Sequence, residues 1–345
     1  MQNSIVRVGL VGYGAGGRRF HAPFIQAADG VELAAVVVRS PQRRAELAAD
    51  FPGVPAVDGL ADLLTGEVDL VVISTPPATR RELVLQALAA GVPVVADKPF
   101  APDGAIAREL AAAATSAGVP LNAFHNRRWD ADIRTLKAVL DSGAIGDAKA
   151  FESRFDLYEP HTVKAGPGGG VLSDLGSHLI DQALWLFGPA RSVFAELDVL
   201  ETANGPTDGG FFVALTHDSG VRSHLTAGKL GRDVGRTLRL TGSAGSYRSA
   251  GTDVQADAIA AGRRPTDDPQ RWGFEDEDRW GTLLTGSGAV PVPSEQGRWQ
   301  AFYEQVGLAV AAGADSPVPA EEAVAVIDVI DAARQSALQN RVIAL

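Results

Sequence analysis

Asp174 and His178 stand four residues apart, just after the glycine run Gly168-Gly169-Gly170, at the head of an apolar stretch reading GGGVLSDLGSHLIDQALWLFG. Four residues is slightly more than one helical turn. The spacing therefore predicts both side chains on one helix face, joined by Asp181 three residues further on. A carboxylate beside an imidazole suits proton handling, because it fixes the ring's orientation and raises its basicity. The segment also fits a plainer role, with Asp174 favouring the helix N-terminus electrostatically and His178 a satisfied buried ring.

Lys98 is a third group placed for chemistry. The apolar run 92–96 ends in Asp97-Lys98-Pro99. A lysine at the carboxyl end of a parallel strand points into the ligand crevice. Pro99 restricts Lys98 to an extended conformation and so fixes its aim. Lys98 can hold a substrate hydroxyl, stabilise a developing alkoxide or pass protons; the alternative is a lysine that caps the sheet edge and faces water.

A cofactor loop precedes both. Gly12-Tyr13-Gly14-Ala15-Gly16-Gly17 fits G-x-G-x-x-G, a weak signal by itself in a chain with 38 glycines. Its context strengthens it: the loop follows an apolar strand and opens a helix within the first βαβ unit. Gly12 permits the tight turn, Gly14 lets backbone approach a pyrophosphate, and Gly17 lets helix pack on strand. The helix start supplies amide donors to phosphates. The next strand, 31–38, runs into Arg39-Ser40 with no acidic residue to bind ribose hydroxyls. Arg39 can stack on adenine and pair with a 2′-phosphate, and Ser40 can donate to it, which favours NADP(H), with NAD(H) still possible. Arg43 and Arg44 read as a solvated helix face.

The elements that position these groups change character along the chain. Apolar strand runs at 5–11, 31–38, 70–74, 92–96 and 119–123 alternate with helical stretches, which predicts a parallel sheet covered on both faces. After about residue 122 a helix at 130–140 and a strand at 151–157 lead to the Asp174 helix. Strand runs at 191–199, 210–216, 221–226 and 236–241 then predict an antiparallel sheet. The stretch 262–285 reads as irregular, and helices near 299–311 and 321–338 finish the chain. The expected fold is α/β: a Rossmann domain over 1–122 and, over 123–345, a substrate-binding and oligomerisation domain built on a large, open, mostly antiparallel sheet.

Composition narrows the partners. The 345 residues are 46% hydrophobic and 21% charged, ordinary for a globular protein with a large core. A formal net charge of −11 argues against nucleic acid or an anionic membrane as partner. With no cysteine, disulfides, thiolate metal sites and cysteine nucleophiles are excluded. No metal is expected. No apolar run approaches a transmembrane span, no signal-like stretch opens the chain, and a cytoplasmic protein is expected.

The glycine loop, Asp97-Lys98-Pro99, HNRRWD at 125–130 and the Asp174/His178 pair together resemble the Gfo/Idh/MocA oxidoreductases, whose usual strand-end motif is E-K-P. The resemblance extends over essentially the whole chain, through QADAI at 255–259. It is closest, through FHAPFI at 20–25 and the Asp174 segment, to a bacterial subgroup containing NADP-dependent scyllo-inositol dehydrogenases. It implies that Lys98 orients the reacting hydroxyl, that His178 takes its proton during oxidation, and that Asp174 binds substrate and supports the relay. It also implies that Arg127 and Asp181 line the pocket, and that Ala15, Tyr13, Ser74, Thr75, Pro76, Asp97, Lys98 and Arg127 join the glycines around the cofactor. Asp156 and Trp272 are further candidates for a polyol's remaining hydroxyls or its apolar ring face. A homodimer or homotetramer through the outer sheet face is implied as well. Two departures stand out. Relatives often read T-P-N-x-x-H where this chain has Thr75-Pro76-Pro77-Ala78-Thr79-Arg80, and the loop 158–168 is shorter than in the subgroup. The reaction expected is hydride exchange between NADP(H) and a cyclitol or sugar. A cofactor-assisted glycoside hydrolase and a non-catalytic nucleotide- or sugar-binding regulator are the rivals, and intact Lys98, Asp174 and His178 argue against the latter.

Overall fold

The computed structural model describes residues 5–345. Six strands, β1 (Val6–Val11), β2 (Val31–Val37), β3 (Ala56–Val57), β4 (Leu70–Ile73), β5 (Val94–Ala96) and β6 (Leu121–Ala123), pair in parallel in the order β3-β2-β1-β4-β5-β6. Helices α1 (Ala22–Ala27), α2 (Pro41–Asp50), α3 (Leu60–Thr65), α4 (Pro77–Ala89) and α5 (Gly104–Ala117) connect them. Every residue of β4 and β5 is buried, as continuous apolar runs require when both faces are covered. Chain order reverses between β1 and β4, and the carboxyl ends of those two strands flank the crevice where such sheets take ligands.

The second sheet has nine strands in the order β14-β13-β12-β11-β7-β10-β9-β8-β15. They are β7 (Ala148–Asp156), β8 (Ala190–Thr202), β9 (Gly205–His217), β10 (Arg222–Gly228), β11 (Gly235–Gly242), β12 (Gly245–Ala250), β13 (Gly281–Thr285), β14 (Gly288–Val292) and β15 (Ile343–Ala344). All neighbours are antiparallel except β7 and β10. Side chains alternate: Phe151, Phe155, Leu225, Leu238 and Leu240 are buried, while Arg154, His224, Arg239 and Arg248 project from the exposed face. Helices α6 (Ala131–Asp141), α7 (Ser177–Phe187) and α8 (Val254–Ala260) belong to this part of the chain.

Two helices close the chain, α9 (Gln300–Ala312) and α10 (Ala320–Gln339). Neighbour contacts divide the protein into two compact units, each discontinuous. The first holds the residues up to Asn126 together with Gly262–Gln270 and Trp299–Val324; the second holds Arg127–Ala261, Arg271–Arg298 and Ala325–Leu345. Aromatic packing explains why α9 belongs with the parallel sheet. Phe302 and Tyr303 meet Phe124, with centroids 5.2 and 5.8 Å apart, and Trp299 packs on Phe20 and Phe24.

Strands β3, β12, β13 and β14 fall where the sequence pattern shows none. β3 has only two residues, β13 is half-buried without apolar alternation, and β14 is a largely exposed edge. The helix that the glycine loop opens begins as a π-helical turn, Gly17–His21, before α1. Among the described residues no helix is long and apolar enough to cross a membrane, and no group of three or more acidic, histidine or cysteine side chains could hold a metal ion.

Candidate active site

In the first unit the glycine loop is folded by close approach. Gly12 has φ +102°, and a Cβ there would collide with the Ser74 carbonyl. A Cβ on Gly17 would strike the Gly12 carbonyl, so this glycine lets the helix start lie against the strand end. Gly14 has no atom within 4 Å of where its Cβ would be, leaving an open cradle of the kind a dinucleotide's pyrophosphate needs. The loop is braced from behind by Asp50. Tyr13 donates its hydroxyl to this carboxylate at 2.8 Å, Arg18 at 2.5 Å and Arg264 at 2.6 Å. Tyr13 is therefore a buried strut, its phenol pushed far up by burial and by Asp50. Neither Asp50 nor Arg264 is visible as a site residue in the sequence, since 214 positions separate them.

Beyond β2, Arg39 and Ser40 are both exposed. Ser40 is the N-cap of α2 but its hydroxyl makes no capping bond. Arg39 reaches the Asp58 carbonyl at 3.3 Å. Arg43 pairs with Glu46 at 2.7 Å and Arg44 with Asp58 at 2.5 Å, in keeping with a solvated helix face.

The Asp97-Lys98-Pro99 turn is clamped from two sides. Asp97 accepts from Ser74 Oγ at 2.8 Å through one oxygen and from the Lys98 amide at 2.8 Å through the other. His21 Nε2 lies 3.3 Å from the carboxylate, and its Nδ1 lies 2.5 Å from the Tyr303 hydroxyl. Burial alone would raise the Asp97 carboxyl, but His21, Arg80 and Lys98 outweigh it and hold it well below the usual carboxylate range. Arg80, 3% exposed, donates to the carbonyls of Thr75 and Asp97, each at 2.6 Å, and to that of Pro99. Arg80 thus ties the ends of β4 and β5 together. The predicted contacts Ser74, Thr75, Pro76, Asp97 and Lys98 all lie on these two strand ends.

The second unit carries the other half of the candidate chemistry. Gly170, with φ +85°, packs against the Asp208 carboxylate, which accepts from the Leu172 amide at 2.6 Å. The chain then makes a π-helical turn, Leu172–Gly176, containing Asp174, and runs into α7 with His178 and Asp181. The turn is wider than the α-helix the spacing suggests, and π turns recur at functional sites. Asp174 forms an ion pair with Lys229 at 2.6 Å; its side chain keeps 39% exposure, while that of Lys229 keeps 5%. His178 is 5% exposed. Lys229 went unnoticed in the sequence because it lies 55 positions from Asp174 in a strand-end context without a motif.

The remaining pocket candidates have partners within this unit. Asp181 is buried and binds Arg128 through both oxygens, at 2.6 and 2.9 Å. Arg127 donates to Asp130 at 3.1 Å and lies over the Phe155 ring. Asp156 pairs with Arg154. Trp272 is 7% exposed and donates its indole N–H to Gln255 at 3.2 Å, placing it inside the unit beside the QADAI helix.

Comparison with known proteins bears on this arrangement. A family model described as an oxidoreductase family with an NAD-binding Rossmann fold matches residues 6–125, and the Gfo/Idh/MocA C-terminal domain matches residues 133–248. The uncharacterized oxidoreductase YdgJ of Escherichia coli is 36% identical over 99% of both chains. This chain belongs to the Gfo/Idh/MocA oxidoreductase family. The scyllo-inositol 2-dehydrogenase (NADP(+)) IolW of Bacillus subtilis is 32% identical over 99% of this chain and 96% of that one. Among solved structures, Bacillus subtilis yvaA superposes with a TM-score of 0.91 at 31% identity, covering 100% of this chain and 99% of the other. The protein is accordingly an oxidoreductase with a parallel NAD-binding sheet and a second, mostly antiparallel sheet.

Proposed function

We propose that this oxidoreductase transfers a hydride between NADP(H) and a secondary hydroxyl or ketone of a cyclitol or sugar. The observation that carries the cofactor choice is the end of β2: the residues that follow the strand include no carboxylate to bind ribose hydroxyls, while Arg39 is exposed and the Ser40 hydroxyl makes no capping bond. The open position at Gly14 supports a pyrophosphate beside it. Gly12, Ala15, Gly17, Ser74, Thr75, Pro76, Asp97 and Arg127 complete the proposed set, with Tyr13 acting from behind the loop. The name of IolW supports the polyol.

Bound nicotinamide supplies the hydride acceptor or donor. The protein's own task is to hold the carbinol and manage one proton. Lys98, on a turn fixed by Asp97 and Arg80, holds the reacting oxygen and stabilises negative charge that develops on it. His178 takes the hydroxyl proton, and Asp174 binds a substrate hydroxyl and supports that transfer. Arg127 and Asp156 line the sugar in this reading, while Asp181 and Trp272, proposed from the sequence for the same role, are buried and bound to Arg128 and Gln255 and support the site from the interior. The open face of the nine-stranded sheet, with Arg154, Arg239 and Arg248, is the surface proposed for a homodimer or homotetramer, and light scattering measures it. The reading places the enzyme in the cytoplasm.

The test is direct. Fluorescence titration should give tighter binding of NADPH than NADH, and Arg39→Ala should remove most of that preference; a preference for NADH in the wild type overturns the cofactor assignment. His178→Ala and Lys98→Ala should each lower turnover of the best polyol by about 10²–10⁴-fold, the usual contribution of a positioned acid–base group. Net NADPH formation from the polyol separates this reaction from glycoside hydrolysis.

A further inference from the structure

Lys229 follows β10 directly, and backbone bonds hold it on both sides. Its amide donates to the Gly209 carbonyl at 3.0 Å, and its carbonyl accepts from the Glu159 amide at 3.1 Å. Its side chain is 5% exposed, so the ammonium is nearly out of water and must find oxygen partners. Three oxygens surround it: Asp174 Oδ2 at 2.6 Å, Thr162 Oγ1 at 2.8 Å and Glu159 Oε2 at 3.5 Å. Two of its three donors make hydrogen bonds, to Asp174 and Thr162, and Glu159 completes the charge balance as an ion pair. Two of the three oxygens come from the segment 158–168. The same segment also reaches the glycine run before Asp174, through the Lys164 carbonyl, which accepts from the Gly170 amide at 2.9 Å.

We propose that Lys229 is a positioning residue for Asp174, and that through it the 158–168 segment sets which polyol epimers the site accepts. The inference rests on the polyol reading above. Asp174 is anchored at one oxygen by a buried cation, yet its side chain stays 39% exposed and can meet a ligand. Epimers differ in where one hydroxyl points, and a carboxylate accepts only from a hydroxyl aimed at its lone pairs. A shift of Thr162 or Glu159 moves the ammonium, and the Asp174 carboxylate it binds at 2.6 Å follows, because the buried ammonium cannot be left unpaired. Misplacement by about 1 Å at a reacting centre costs on the order of 10²-fold in rate.

The experiment uses the full chain with NADP⁺ and a panel of cyclitol epimers and aldoses, comparing wild type with Lys229→Met, Thr162→Val and the double variant. Lys229→Met should lower kcat/KM on the best polyol about 100-fold, reduce the ratio between best and worst epimers by about tenfold or more, and leave NADPH affinity within about twofold. Thr162→Val should change that ratio in the same direction by less. The double variant should match Lys229→Met, because Thr162 acts through the lysine. A uniform loss on all substrates at unchanged epimer ratio overturns the proposal, as do independent, multiplying effects of the two substitutions. Should Lys229→Met fail to fold, Thr162→Val decides alone, and an unchanged epimer ratio overturns the proposal. A wild type that turns over no member of the panel overturns the polyol reading and this inference with it; an active wild type with an unaltered variant ratio overturns this inference only.

Discussion

Arg80 and Asp97 show what single side chains do around the Lys98 turn. Arg80 donates to three carbonyls, one buried and two partly buried, so Arg80→Leu leaves acceptors there without this donor. We expect a loss of roughly 3 kcal/mol, read as a lower urea midpoint, together with weakened turnover because the turn carrying Lys98 loosens. Asp97 gives a pH dependence whose sign follows from its environment. Its carboxyl is held below the usual 3.8, so the unfolded chain binds that proton more readily than the folded one. The stability it contributes is fully present above about pH 4 and is lost as pH falls below it. Thermal melts from pH 6 down to pH 3 should show a steeper decline for the wild type than for Asp97→Asn. Equal slopes would show that Asp97 carries none of the acid sensitivity.

The glycine loop, as an element, separates two kinds of glycine. Gly17 is required by the fold itself, because its Cβ would meet the Gly12 carbonyl backbone to backbone. Overpacking of that kind costs about 1–3 kcal/mol. Gly17→Ala should therefore lower stability and weaken NADPH binding by one to two decades. Gly14 faces open space, so Gly14→Ala should leave the melting temperature unchanged and still weaken NADPH, since its Cβ stands where the pyrophosphate is proposed to lie. Calorimetry and fluorescence titration on both variants check the contrast. The G-x-G-x-x-G pattern made the loop legible in the sequence, yet it could not say which glycine serves folding and which serves the ligand. The Asp174 turn is a similar case. The four-residue spacing suggested an α-helical face, but the backbone there is a π turn, which the spacing alone does not signal.

At the scale of the molecule, the first unit is completed from the end of the chain. His21 lies beside the Tyr303 hydroxyl, Phe24 packs on Trp299, and Phe124 packs on Phe302 and Tyr303. A chain ended after residue 126 keeps all six parallel strands but loses these aromatic partners and exposes Phe24, Ile25 and Phe124, each 3% exposed or less in the intact protein. We expect it to lack a cooperative unfolding transition and to bind no NADPH. A folded, nucleotide-binding 1–126 fragment would contradict that account.

The sequence by itself determined the alternating parallel sheet, the antiparallel second sheet, the glycine loop and the identity of Lys98, Asp174 and His178 as candidate groups. Each of these is written in local pattern: apolar runs, turn residues and short spacings that physics reads within one or two elements. Only the tertiary structure decided that Tyr13 is a strut on Asp50, that Arg80 binds two strand ends, and that Trp272 and Asp181 are occupied in the interior. It alone brought Lys229 to Asp174 and Tyr303 to His21, across 55 and 282 positions. Such pairs arise because a buried charge or polar group must be satisfied by whatever the fold delivers beside it, and that partner's place in the sequence obeys no spacing rule.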